Sequence, residues 1–307
     1  MEDIELRQSD AMDTAEFEAA QGQVSYLIGS CYYQLGEYAN ALANYQLATY
    51  FLPQQVDYQR DLAICYAKNG NQALAEETLG LLQDMNCPAD SLALVQGEIN
   101  YAYGNYEDAF HNLSLAAELA NDASTINRAC IEAVNCSRQL GSGWIDAEIA
   151  LLENGVARMT AAENGLLMQI LAEAYLNKSA QPESDSRFCY EQALNYLRQL
   201  LARGYRTFAV EQDMAIVLQY LDRFDEAADI LLSMLEEYPF DYRVPMRLAL
   251  LYADAESEKD HSVRDYTAMG SYWRQAQNLY SASSSSDTEM LRLNELAQQL
   301  IDLGWIL

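Results

Sequence analysis

Apolar residues recur along this chain at three- and four-residue spacings, in runs of about a dozen positions that glycine or proline interrupts at regular intervals. Spacing of that kind predicts amphipathic helices, and the interruptions group them in pairs. Residues 22–55, 56–89 and 90–123 can be written in register, each 34 residues long, and the same chemistry returns at the same offsets.

Four columns define the register. The eighth position holds Gly29, Ala63 and Gly97, and the twentieth holds Ala41, Ala75 and Ala109. The fifteenth holds Gly36, Gly70 and Gly104, and the twenty-fourth holds Tyr45, Leu79 and Leu113. Small residues at the eighth and twentieth positions predict two helices whose axes approach closely, where added bulk would push them apart. Glycine at the fifteenth is free to take a positive φ and end the first helix of each pair. Cys31 and Cys65 repeat at the tenth position, beside the small column, where a compact apolar side chain is expected to pack in the core.

On these residues the sequence resembles the tetratricopeptide repeat family. Ile28-Gly29, Tyr32, Gly36, Tyr38, Ala41, Tyr45, Ala48 and Pro53 follow that family's pattern, with Ser25 at its usual tryptophan position. A later unit, 208–241, matches through Met214-Ala215, Leu218, Phe224, Ala227, Leu231, Met234 and Pro239, with Asp222 replacing the turn glycine. Units 165–204 and 242–280 keep part of the register around the insertions near 178–188 and 254–264. In 124–164 the register slips: a long helix through Val134, a turn at 141–143, and a helix carrying Trp144, Ala147 and Leu151.

The resemblance implies an all-α fold, a right-handed superhelical solenoid of about seven tetratricopeptide-like hairpins over 22–282. Residues 1–21 are expected as an acidic lead-in helix. Residues 283–307 form a final helix whose Met290, Leu293, Leu296, Ala297, Leu300 and Ile301 share one apolar face and cover the last unit. A serine-rich connector at 281–289 leads into it.

The 307 residues carry 18 Lys and Arg against 46 Asp and Glu, a net charge of −28, which disfavours nucleic acid as a partner. No run is long and apolar enough for membrane insertion, and no signal peptide is evident, so a cytoplasmic chain with reduced thiols is expected. The two histidines, His111 and His261, have no second metal ligand at zinc spacing, and no nucleophile-elbow or phosphate-loop motif is present. Neither a catalytic site, a metal nor a cofactor is expected.

In the family this chain resembles, first-helix positions two, five, nine, twelve and thirteen face an inner groove that holds a peptide. Carried over, they give Tyr26, Ser30 and Tyr33 in the first unit, Asp57 and Arg60 in the second, and Glu98 and Tyr101 in the third. They give Gln212, Gln219 and Tyr220 in unit 208–241, and Arg243 and Met246 in the last. The implied function is a non-enzymatic protein- or peptide-binding scaffold. The alternative is a regulatory or sensor module of a larger signalling enzyme, for example a bacterial Ser/Thr kinase, or of a multiprotein complex. Residues 1–120 carry 3 basic and 18 acidic groups, which points either to a basic or amphipathic protein segment docking toward the N-terminal units or, equally, to acidity that keeps an apolar-rich solenoid soluble.

Overall fold

The structure is a computed structural model that describes residues 2–280 and 287–306, with side chains of the first helix described from residue 14. Of the serine-rich connector, residues 281–286 lie outside the described residues, and 287–289 cap and begin the last helix. All regular structure among the described residues is helical, and it forms two compact units that divide between Leu167 and Met168.

The first unit holds α1 (Glu2–Gln34), α2 (Tyr38–Phe51), α3 (Val56–Lys68) and α4 (Gln72–Asp84). It continues with α5 (Ala89–Ala102), α6 (Tyr106–Leu119), α7 (Ala123–Leu140) and α8 (Ile145–Arg158). Helices pack as consecutive antiparallel pairs, and the first helices of neighbouring pairs also meet, α3 on α5 and α5 on α7. The columns explain the packing. A Cβ placed on Gly97 would lie 2.6 Å from Leu113 Cγ, and one on Gly29 would lie 2.8 Å from Tyr45 Cδ1. Ala41, Ala63, Ala75 and Ala109 are completely buried. Gly36, Gly70 and Gly104 turn between paired helices with φ of +74°, +75° and +77°, a region where a Cβ is costly.

The segment where the register slips is a hairpin as well. Gly141 ends α7 at φ +93°, a single 3-10 turn spans Ser142–Trp144, and Gly155 of α8 abuts Leu167 and Cys130. Two details differ from expectation. No break separates residues 1–21 from the first repeat, because α1 runs through Gly22 without interruption. Cys65 is fully buried, with its thiol donating to the Tyr38 carbonyl at 3.3 Å and its pKa pushed up by burial to about 12, whereas Cys31 is exposed. The tenth-position thiol is covered by the preceding hairpin, and among the described residues α1 has none before it.

The second unit begins in the first turn of α9 (Gly165–Ser179) and adds α10 (Ser186–Ala202), α11 (Phe208–Tyr220) and α12 (Phe224–Glu237). It ends with α13 (Arg243–Ser257), α14 (Thr267–Tyr280) and α15 (Thr288–Asp302). Tyr175 of α9 stacks on Tyr196 of α10 at 6.2 Å. Asp222 takes the turn position with φ +58°, a left-handed conformation that aspartate tolerates better than most residues. Met290, Leu293 and Ala297 of α15 are fully buried against Ala249, Met269 and Ala276, and Asp287 caps that helix by accepting from the Glu289 and Met290 amides.

Candidate functional site

In the first unit, side chains from the first helices of four successive hairpins converge. The hydroxyl of Tyr26 on α1 donates to Asp61 Oδ2 on α3 at 2.6 Å, and the Tyr26 ring stacks on Tyr58 at 4.1 Å. Asp61 also receives Arg60 Nε at 3.1 Å and, from α7, Arg128 Nη1 at 3.3 Å. Arg128 reaches Glu98 of α5 and the Tyr33 hydroxyl through Nη2 at 3.4 and 3.3 Å. Lys68 Nζ lies 2.7 Å from Glu98 Oε2 and 3.9 Å from Glu132 Oε2, above the ring of Tyr101. Asp57 completes the set by pairing with Arg60 at 2.8 Å.

Four carboxylates (Asp57, Asp61, Glu98, Glu132) thus meet three cations (Arg60, Lys68, Arg128) in a partly dehydrated space. Burial raises the Asp61 pKa, but Arg60 and Arg128 outweigh it and hold the carboxyl below its ordinary range. Glu132 goes the other way, raised by burial and then by the charge of Glu98. Tyr33 is held un-ionised far above the usual tyrosine range, chiefly by burial and then by Glu98. Each buried charge has an opposite partner at hand, so this network uses up its own binding capacity.

In the second unit, charged groups of α9, α11 and α13 act on one another and are organised differently. Asp213 occupies the sixth position of its repeat, as Asp61 does. Among the described residues it accepts no hydrogen bond and has no cation within 4 Å. Burial, and then the charge of Glu173 on α9, raise its carboxyl pKa to about 6, with Arg247 of α13 pulling back only in part. Arg247 is committed elsewhere, to Glu289 of α15, and its buried Nε lacks a hydrogen-bond partner. On the same helices α11 and α13, Gln212, Ile216 and Leu250 are part-buried, and Tyr220 is 58% exposed and stacked on Tyr190 at 4.9 Å.

In both units the converging residues sit on the first helices of their pairs, while the small columns bring paired helices together. Both units are thus built of repeated two-helix hairpins, an all-α fold. No family model matches the sequence, and no curated protein matches it. Among solved structures, the Pseudomonas aeruginosa pilF protein is similar at 15% identity and a TM-score of 0.45, covering 91% of this chain and 98% of its own. The MamA protein is similar at 17% identity and a TM-score of 0.37, covering 59% and 94%. The TPR2AB domain of yeast Sti1, solved as a complex with pHSP90, is similar at 16% identity and a TM-score of 0.36, covering 91% and 99%.

The inferred groove positions meet different fates. Tyr26, Tyr33, Asp57, Arg60, Glu98 and Tyr101 are brought together, but against one another, and Glu98 is completely buried. Ser30 is absorbed locally, donating to the Tyr26 carbonyl at 3.0 Å. Met246 is corrected to a core residue, 1% exposed in the cluster beneath α15, because the final helix covers that face. Gln219 donates to Asp254, and Arg243 pairs with Asp241 while lying 4.1 Å above the Phe208 ring, at the edge of the array. Gln212 is part-buried and Tyr220 is exposed. Sequence reasoning missed Asp61, Arg128, Glu132, Asp213 and Glu173. A charged sixth position in three repeats (Asp61, Asp213, Arg247) was the available signal. No group of three or more His, Cys, Asp or Glu suited to a metal occurs among the described residues, and no described helix is long and apolar enough to cross a membrane.

Proposed function

We propose that this chain is a non-enzymatic scaffold that binds a protein segment along the inner side of its second unit, over α9, α11 and α13. The observation that carries this reading is Asp213, a part-buried carboxylate with no cation of its own beside a second carboxylate, Glu173. A lysine or arginine from a partner would relieve that repulsion and complete a charge-assisted hydrogen bond. Tyr220 and Gln212 offer flat contact area and amide groups alongside, the mixture that recognition surfaces favour. The first unit is the poorer candidate despite its acidity, since its inner carboxylates already have cations.

A peptide array probed with the wild-type chain and with Asp213→Asn tests this. Wild type should select peptides with a lysine or arginine at one fixed position, and Asp213→Asn should lose that selection by roughly tenfold or more in affinity. The selected peptides should also weaken as salt rises. Absence of any basic preference, or a preference that Asp213→Asn leaves intact, would overturn the reading.

A further inference from the structure

One side of α1 carries a largely apolar seam that continues past its last turn to Leu35. Phe17, Gln21, Val24, Ile28, Cys31 and Leu35 follow at spacings of 4, 3, 4, 3 and 4 residues, the pattern by which one helix packs along another. Phe17, Val24, Ile28 and Leu35 are 62%, 54%, 42% and 72% exposed, and Cys31 is exposed too. A hollow of about 440 Å³ opens at one end of the seam, between Phe17 and Val24 of α1 and Leu47 of α2, with Tyr50 standing exposed on the same helix.

Repeat arithmetic identifies this surface. Ile28 is a seventh-position residue, and the seventh positions of three later repeats, Leu62, Met214 and Leu248, are 6%, 8% and 0% exposed, with Gln96 of another part-buried. The seam is therefore the face that a hairpin normally offers to the hairpin before it.

Charge selects the occupant. In a chain of net charge −28, residues 19–56 contain one charged side chain, Glu37. A basic partner would leave acidic groups around its site, whereas two strongly acidic copies meet best where charge has been removed. The exposed apolar side chains of α1 and α2 together leave on the order of 700 Å² in water, near the roughly 800 Å² per partner of a standard interface. We infer that this face binds a second copy of the chain, α1 against α1 about a two-fold axis, an arrangement that closes on itself and leaves no free edge.

The mass of the purified full chain tests it. Light scattering should give twice 34.5 kDa at micromolar concentration. Val24→Glu with Ile28→Glu should return it to 34.5 kDa with an unchanged helical circular-dichroism spectrum. Rising salt should tighten the dimer by screening the remaining acids. A wild-type chain that stays monomeric up to about 100 μM overturns the proposal and leaves the face to a different protein. A dimer that the two glutamates leave intact, or that salt loosens, overturns it as well. If the glutamates unfold the first hairpin, Val24→Ala with Leu35→Ala provides the check: dimer affinity should drop at least tenfold, and an unchanged affinity refutes the interface.

Discussion

Asp61 and Asp213 occupy the same repeat position, the sixth, on the same kind of helix, yet titrate in opposite directions. Asp61 is pulled below the ordinary carboxylate range because Arg60 and Arg128 answer its charge and Tyr26 donates to it. Asp213 is pushed up to about 6 because burial and the charge of Glu173 outweigh the pull of Arg247. A repeat fixes where a side chain points, and the neighbours that differ from repeat to repeat decide what its charge is for. In the first unit the inner charges are spent on cohesion; in the second, one is left available.

The contrast breaks most directly at Arg128. Replacing it with methionine strips Asp61 and Glu98 of a shared cation, and the fold should lose about 2–3 kcal/mol by chemical denaturation, Lys68 and Arg60 compensating in part. Loss of stability below about 0.5 kcal/mol would mean that the network does not bind the hairpins together.

Asp213→Asn should do the reverse. The native carboxyl titrates near 6 and the unfolded one near 4, so between those values the folded state holds more protons. Stability therefore falls as pH rises through that window, and the deficit persists above it. Removing the charge should stabilise the chain by about 1–2 kcal/mol at pH 7.5, after discounting for partial exposure, and by almost nothing at pH 4. An asparagine variant equally stable or less stable at pH 7.5 would show that Asp213 already has a counter-charge. For Asp61 the sign is opposite: its stabilisation is present above the ordinary carboxylate pKa and drains away as pH falls through its lowered one.

The finest distinction lies at Tyr26. Tyr26→Phe removes one hydrogen bond to Asp61 and should cost about 1 kcal/mol of stability while leaving partner affinity unchanged. Affinity falling with stability untouched would return the groove to the first unit.

Much of the architecture was legible in the chain because the columns are local. A glycine that must turn, or an alanine that must admit a neighbouring helix, is constrained within its own 34 residues, so Gly36, Gly97 and Ala109 announce their roles. Even Asp222 kept the turn at a position that usually asks for glycine. The site was only partly legible. Arg128 lies in the segment where the register slips, 67 residues from the Asp61 it answers, and no spacing rule links the two. Ile28 and Cys31 matched buried columns, yet they are exposed because burial there belongs to whatever precedes a hairpin.

By itself, then, the sequence determined the helical hairpin, its period and the residues that hold each pair together, since those depend on backbone conformation and side-chain volume over one or two turns of chain. Which carboxylates are answered and which apolar face stays in water was decided only by the tertiary structure. Charge pairing and burial depend on what arrives from distant repeats, and a residue's own repeat carries no record of that.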